Sequence, residues 1–187
     1  NVSSTSWLLK KEGWGTGLHP IMEKRNLSKA FGTVQACDRI SIKIEAGTIH
    51  AVAGENGAGK STLMKMLYGI YAATSGEILI DGQIMKQWSA SVAREKGIGM
   101  VFQDFRLIST FSVMENVFLS DPSFGNRVDR KLLCDRISEL SRKYKLDVDP
   151  KAEVWKLDLG QRQHVEILKV LMGKNTRVLI FDEPTSV

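Results

Sequence analysis

The stretch GENGAGKST, Gly54 to Thr62, crowds glycines, a lysine and two hydroxyls into nine residues. Small residues let a backbone wrap closely around a ligand and turn several N–H groups inward, and a lysine at the end adds a point charge. That combination suits a phosphate. Gly54-x-x-x-x-Gly59-Lys60-Ser61 fits the phosphate-loop spacing at each fixed position. In such a loop Glu55, Asn56, Gly57 and Ala58 offer main-chain donors and the following helix adds its positive end. Lys60 bridges the β- and γ-phosphates, and Ser61, with Thr62 beside it, stands where Mg²⁺ is held. A glycine-rich turn that merely contains a lysine is the plainer alternative. An apolar run before the loop and a helical pattern after it weigh against that alternative.

A second constellation lies at Val178-Leu-Ile-Phe-Asp182-Glu183. Four apolar residues read as a buried strand, so both acids emerge at its C-terminal end, where open α/β sheets bind ligands. Asp182 suits Mg²⁺ through water, and Glu183 is placed to take a proton from an attacking water. An apolar strand ending in Asp-Glu means little by itself. Together with a phosphate loop it points to hydrolysis.

Elements must position these groups. Arg39 to Glu45 (RISIKIE) alternates as a half-buried strand does, and after Gly47 the run IHAVAG reads as a buried parallel strand. Leu63, Met64, Leu67 and Tyr68 recur at helical spacing until Gly69 stops them. SGEILIDG and GIGMVFQ read as two further strands. From about Asp104 to Leu157 the pattern turns helical, with a capping box at Ser112-Val-Met-Glu115 and an apolar stripe of Leu133, Ile137, Leu140 and Tyr144. Another helix follows Leu159, and RVLIFDE returns to a strand. The plan is α/β with a helical insertion between two parts of one sheet.

Composition is consistent with this plan. The 187 residues are 43% hydrophobic and 25% charged, as in an ordinary globular chain, and no run approaches the length of a membrane span. A net charge of +5 is scattered rather than blocked, which reads as a solvated surface and not a nucleic-acid patch. Two distant cysteines, Cys37 and Cys134, suggest neither a disulfide framework nor a metal cage. Residues 1–20 show no sustained period and read as a loose leader, with the organised domain beginning near Ile21.

From Ile21 onward the sequence resembles the ATP-binding-cassette (ABC) ATPases. GENGAGKST is similar to their Walker A motif, VLIFDEPTS to Walker B with the start of the D-loop, and LDLGQRQ to the signature. The resemblance implies a P-loop NTPase (RecA-like) core with an antiparallel β subdomain and an inserted α-helical subdomain, at about residues 104–157. It also implies ATP and Mg²⁺ as cofactors. By the same resemblance Phe31 stacks on adenine, Gln103 reaches Mg²⁺ and senses the transporter, and Asp158, Gly160 and Gln161 face ATP held by a second cassette. The helical insertion implies docking on transmembrane permease subunits, at the cytoplasmic face of the plasma membrane. LMKMLYGIY, ENVFL, KLDVDP and QHVEILKVL look most like importer ATPases for nucleosides and simple sugars, and GENGAGKST and DEPTSV like the first of their two cassettes.

Two departures carry consequences. The signature begins Leu157-Asp158 where the family has Leu-Ser, so a carboxylate stands in place of a hydroxyl that would donate to the γ-phosphate. Arg162, four residues on, is the residue placed to neutralise it, and His164 replaces a customary Arg. The family's switch histidine follows Walker B, whereas the histidines here are His19, His50 and His164. The chain therefore reads as truncated. A cassette that binds nucleotide without productive hydrolysis stays open as an alternative, and a soluble ABC protein acting on nucleic acid is the more distant one.

Overall fold

The computed structural model describes residues 8–9, 20–120, 129–173 and 175–182. They fall into two compact units, one built on residues up to 100 and from 175 onward, the other on 101–174.

Among the described residues the first unit holds two sheets. Strand β1 is Leu8–Leu9, β2 is Met22–Phe31, β3 is Val34–Ile44, β4 is Ser75–Ile80, β5 is Gln83–Ile84, β6 is Ile98–Val101 and β7 is Val178–Phe181. The order β3-β2-β4-β5 makes an antiparallel sheet, with Met22 opposite both Ile44 and Ile80. The order β1-β7-β6 makes the other. All four residues of β6 and all four of β7 are buried, as a continuous apolar run requires when neither face meets water. Helix α1, Lys60–Tyr68, buries Leu63, Met64, Met66 and Leu67, and Gly69 closes it in the left-handed conformation (φ 85°). A short helix α2, Ala90–Glu95, is capped by Ser89. Arg177 forms a two-pronged ion pair with Asp81, at 2.7 and 2.5 Å, which ties the residue before β7 to the turn after β4.

Two expectations meet a different outcome here. Ile49–Ala53, read as a buried parallel strand, is reduced among the described residues to a bridge at Val52: Ile49 is 57% exposed and Ala51 and Ala53 lie on the surface. An apolar run is buried in a parallel sheet only where strands pair along its length, and here the pairing is limited to one bridge residue. Second, Leu8–Leu9, inside the segment expected to be a loose leader, pairs antiparallel with β7, Leu8 opposite Ile180. The remainder of residues 1–19 lies outside the described residues.

The second unit is helical: α3 Val113–Ser120, α4 Arg130–Tyr144 and α5 Leu159–Leu171, with a 3₁₀ turn at Val154–Lys156. It extends past the expected boundary near 157 because α5 packs on α3 and α4. The capping box read from the sequence is present at α3, Ser112 N–H donating to Glu115 Oε2 at 2.9 Å and Glu115 N–H to Ser112 Oγ at 3.2 Å. Asp129 caps α4 through two backbone donors. Of the stripe on α4, Leu133 and Ile137 are buried and Leu140 and Tyr144 half-buried.

Lys24 is the anomaly of the first unit. On β2 it stands opposite Ile42 and Ile78 and is 0% exposed. Its Nζ lies 3.5 Å from Met66 O and 4.9 Å from the Trp88 ring centroid. Burial alone drives its pKa from 10.5 down to about 6, so at neutral pH the amine is largely uncharged. Between those two values the unfolded chain holds a proton that the folded chain does not, so stability climbs as pH rises from about 6 towards 10. The slope from this one group is about 1.4 kcal/mol per pH unit. Urea unfolding at several pH values checks this: Lys24→Met abolishes the slope and raises stability most at the acid end of that window.

Candidate functional site

The glycine loop folds around its own lysine. Lys60 is 7% exposed, and its Nζ donates to Gly54 O and Glu55 O, both at 2.7 Å. A lysine ammonium carries three N–H donors, so two are engaged by the loop and the third is directed by them. The loop holds its shape through local turns: Ala58 N–H donates to Glu55 O at 3.2 Å, and Gly57 and Gly59 take φ of 84° and 85°. Gly59 has no alternative, since a Cβ there would press into the carbonyl oxygen of Ala36 and lie 3.3 Å from Cys37 Sγ.

Helix α1 begins at Lys60 with Gly59 as its cap. No side chain caps it, and its first turn contains no acid. Its leading N–H groups therefore face outward with the positive end of the helix dipole, an arrangement that favours an anion. Gly54, Gly57, Ala58 and Gly59 crowd no side chain into that space, and Glu55, Asn56, Gly57 and Ala58 are exposed. Ser61 and Thr62, in the first turn, are half-buried. The residues present thus fit a phosphate group.

Asp182 follows β7 in the same unit and is 3% exposed. Mg²⁺ uses few protein oxygens and completes its octahedron with phosphate oxygens and water. Ser61 and Asp182 are donors of that kind. Glu183 lies outside the described residues. Phe31 ends β2 with 44% of its surface exposed, its ring edge-on to Tyr71 at 5.2 Å and beneath Lys29 Nζ at 5.0 Å. The sequence assigns Tyr71 and Cys37 no role at this site. Cys37 Sγ donates to Gly59 O at 3.6 Å, and burial pushes its thiol pKa up, which keeps that donor hydrogen in place. Both contacts are long-range, and nothing in the local sequence announces them.

In the second unit Gln103 is exposed, two residues past β6. Asp158 is the N-cap of α5: its Oδ1 accepts Gln161 N–H at 2.7 Å while Gln161 Oε1 accepts Asp158 N–H at 3.2 Å. Gly160 lies between them, and a Cβ there would meet Asp158 Oδ1 at 3.4 Å, an ordinary contact. Arg162 turns away from Asp158. Its Nε donates to Leu157 O at 3.0 Å and its Nη2 to Trp155 O at 3.4 Å, so the neutralising contact expected from the spacing is replaced by two bonds to backbone carbonyls.

Residues 37–186 match the ABC transporter family. The chain belongs to that family. It is 42% identical over 168 residues to the guanosine import ATP-binding protein NupO of Bacillus subtilis, covering 89% of this chain and 33% of that protein. It is likewise 42% identical over 168 residues to the nucleoside import ATP-binding protein NupA of Lactococcus lactis, with the same coverage. It is 41% identical to the ribose import ATP-binding protein RbsA 2 of Escherichia coli O157:H7, covering 89% of the chain and 33% of the relative. The chain thus spans about a third of the length of the relatives it matches. Among solved structures, a nucleotide-free ATP-binding cassette from an ABC transporter superposes with a TM-score of 0.69 at 21% identity. That superposition covers 83% of this chain and 66% of that one. Likeness at that identity establishes the fold, a P-loop NTPase of ABC type. The relatives are named as import ATP-binding proteins.

The loop geometry generates a prediction. Gly59→Ala places a side chain against the Ala36 carbonyl at a φ that L-residues disfavour by about 1–2 kcal/mol before any clash is counted. Thermal unfolding is expected to show a loss of at least that size, and titration with a fluorescent ATP analogue at least tenfold weaker binding.

Proposed function

We propose that this chain is the ATP-binding part of an importer ATPase, coupling ATP binding and hydrolysis to uptake of a nucleoside or simple sugar. The observation that carries this reading is Lys60, held by Gly54 O and Glu55 O at the uncapped N-terminus of α1. It is supported by 40–42% identity to import ATP-binding proteins for guanosine, nucleosides, galactose, xylose and ribose.

In this reading the loop N–H groups of Gly54 to Thr62 and the Lys60 ammonium bind and orient the triphosphate. Phe31 offers a partly exposed ring to adenine. Ser61 and Asp182 would hold Mg²⁺, which when bound offsets phosphate charge, and the family resemblance assigns Gln103 to the same ion. Glu183 takes the proton of the attacking water. A second cassette places its own Asp158, Gly160 and Gln161 against the γ-phosphate. Ile108, Phe111, Trp155 and Leu159 leave an apolar surface on two hydrogen-bonded segments of the helical unit, Trp155 N–H donating to Ser109 O and Val154 N–H to Phe111 O. Such a surface suits a permease subunit at the cytoplasmic face of the membrane. Among the described residues no helix is long and apolar enough to cross a membrane.

A second reading, nucleotide binding without productive hydrolysis, has one observation in its favour. Asp158 brings a carboxylate to the N-terminus of α5, and Arg162 is bonded elsewhere. That charge opposes a γ-phosphate approaching the same helix end.

Both readings meet one experiment. In the complete ATPase, Glu183→Gln is expected to leave ATP affinity within about threefold while turnover falls about 10²-fold or more. Undiminished turnover contradicts the assignment of the base. Asp158→Ser in the same background decides between the readings: a large rise in turnover favours the binding-only cassette, and no change favours the working engine.

A further inference from the structure

The segment that follows Gln103 is gripped by two helices. Arg106 is held at both ends of its main chain from α5. Its N–H donates to Glu166 Oε1 at 2.7 Å, and its C=O accepts from Lys169 Nζ at 3.0 Å. Glu166 and Lys169, one helical turn apart, pair with each other at 3.1 Å, and their side chains are only 4% and 12% exposed. Two residues on, Ile108 is held in the same way from α3: its N–H donates to Asn116 Oδ1 at 2.7 Å and its C=O accepts from Asn116 Nδ2 at 3.0 Å. Asn116 is itself 4% exposed. The Arg106 guanidinium then folds back over the Phe102 ring at 3.7 Å, bracketing Gln103 to Phe105 between two stacked side chains.

A buried ion pair is a poor device for stability, since well-packed apolar residues of similar volume serve as well or better. A buried polar network satisfied throughout does impose one geometry. Here the geometry imposed is that of a loop, which would otherwise run over the surface with more freedom. The loop carries Gln103, and the helix that grips it begins at Asp158 and Gly160.

We propose that Glu166 and Lys169, seconded by Asn116, are positioning residues that fix Gln103 to the helix bearing the signature residues, so that the two move as one piece. This rests on the reading of Gln103 as a metal-facing residue. The clasp transmits position through main-chain atoms, so it constrains where the glutamine amide stands without any of the three side chains touching metal or nucleotide. Loosening it weakens metal binding while leaving the phosphate loop intact.

The test uses the full chain with Mn²⁺ as the metal and a fluorescent ATP analogue as the nucleotide. The double variant Glu166→Leu/Lys169→Leu removes the clasp with apolar residues of similar bulk. The expected result is faster amide exchange across residues 104–108, a Mn²⁺ dissociation constant at saturating nucleotide raised five- to tenfold, and metal-free nucleotide affinity within twofold of the parent. Unchanged Mn²⁺ affinity despite faster exchange overturns the proposal, and so does an equal loss of metal and nucleotide affinity. If the double variant fails to fold, Lys169→Gln, which keeps a donor for the Arg106 carbonyl but removes the charge, is read by the same criteria with a smaller shift expected. Gln103→Ala separates the two layers. If it leaves Mn²⁺ affinity unchanged, the reading of Gln103 fails, whatever the clasp does to exchange.

Discussion

The two bonds from the Lys60 ammonium to the carbonyls of Gly54 and Glu55 are the constraint on which the site depends. They hold a charge inside a loop that has almost no side chain of its own. They also fix that charge at the start of α1, whose leading N–H groups no side chain caps. Main-chain donors, a helix end and an ammonium converge because Gly57 and Gly59 adopt left-handed angles and because Gly59 lies flat against Ala36. Substituting any one of these with a bulkier or differently charged residue moves all the rest. Leu63, Met64, Met66 and Leu67 then anchor α1 in the core of its unit, each buried side chain worth about 1.5–3 kcal/mol, so the loop has a fixed base.

The helical unit is organised by polar contacts that serve backbone groups. Asp158 satisfies α5, Glu115 and Ser112 satisfy α3, and Asp129 satisfies α4. The Asp158 carboxylate illustrates a tension between fold and function. It is a good cap because it is an anion at a positive helix end. For the same reason it contests that end with any phosphate brought to it.

What could be read in the sequence, and what could not, divides along the range of the interactions. The phosphate loop was legible because its demands are local: glycines at fixed offsets and a lysine opening a helix. The Ser112–Glu115 capping box was legible for the same reason, and the buried strands β6 and β7 announced themselves as unbroken apolar runs. Ile49–Ala53 shows the limit of that signal. Its apolarity states a preference for burial but not which neighbours would supply it, and in the structure Ile49 is 57% exposed. Lys24 sits between Glu23 and Arg25 and reads as part of a solvated face. Only the pairing of β2 with both β3 and β4 puts it under Trp88 and α1. Arg162 reads as a partner for Asp158 by spacing, and nothing in the local sequence marks the hold of Glu166 and Lys169 on Arg106. Nearby backbone carbonyls claim Arg162 instead, and the distant main chain of Arg106 engages Glu166 and Lys169 in addition to their own ion pair.

The central claim is that the charge on Lys60 makes this loop a receptor for the polyphosphate of ATP. The most direct test is a titration of the chain with a fluorescent ATP analogue in the presence of Mg²⁺, for the parent and for Lys60→Met, with ATP and adenosine as competitors. The account predicts saturable binding that ATP displaces far better than adenosine does. It also predicts at least tenfold weaker binding in the variant, the loss expected for a charge-assisted bond to phosphate. Equal displacement by adenosine, or binding indifferent to Lys60→Met, would contradict it.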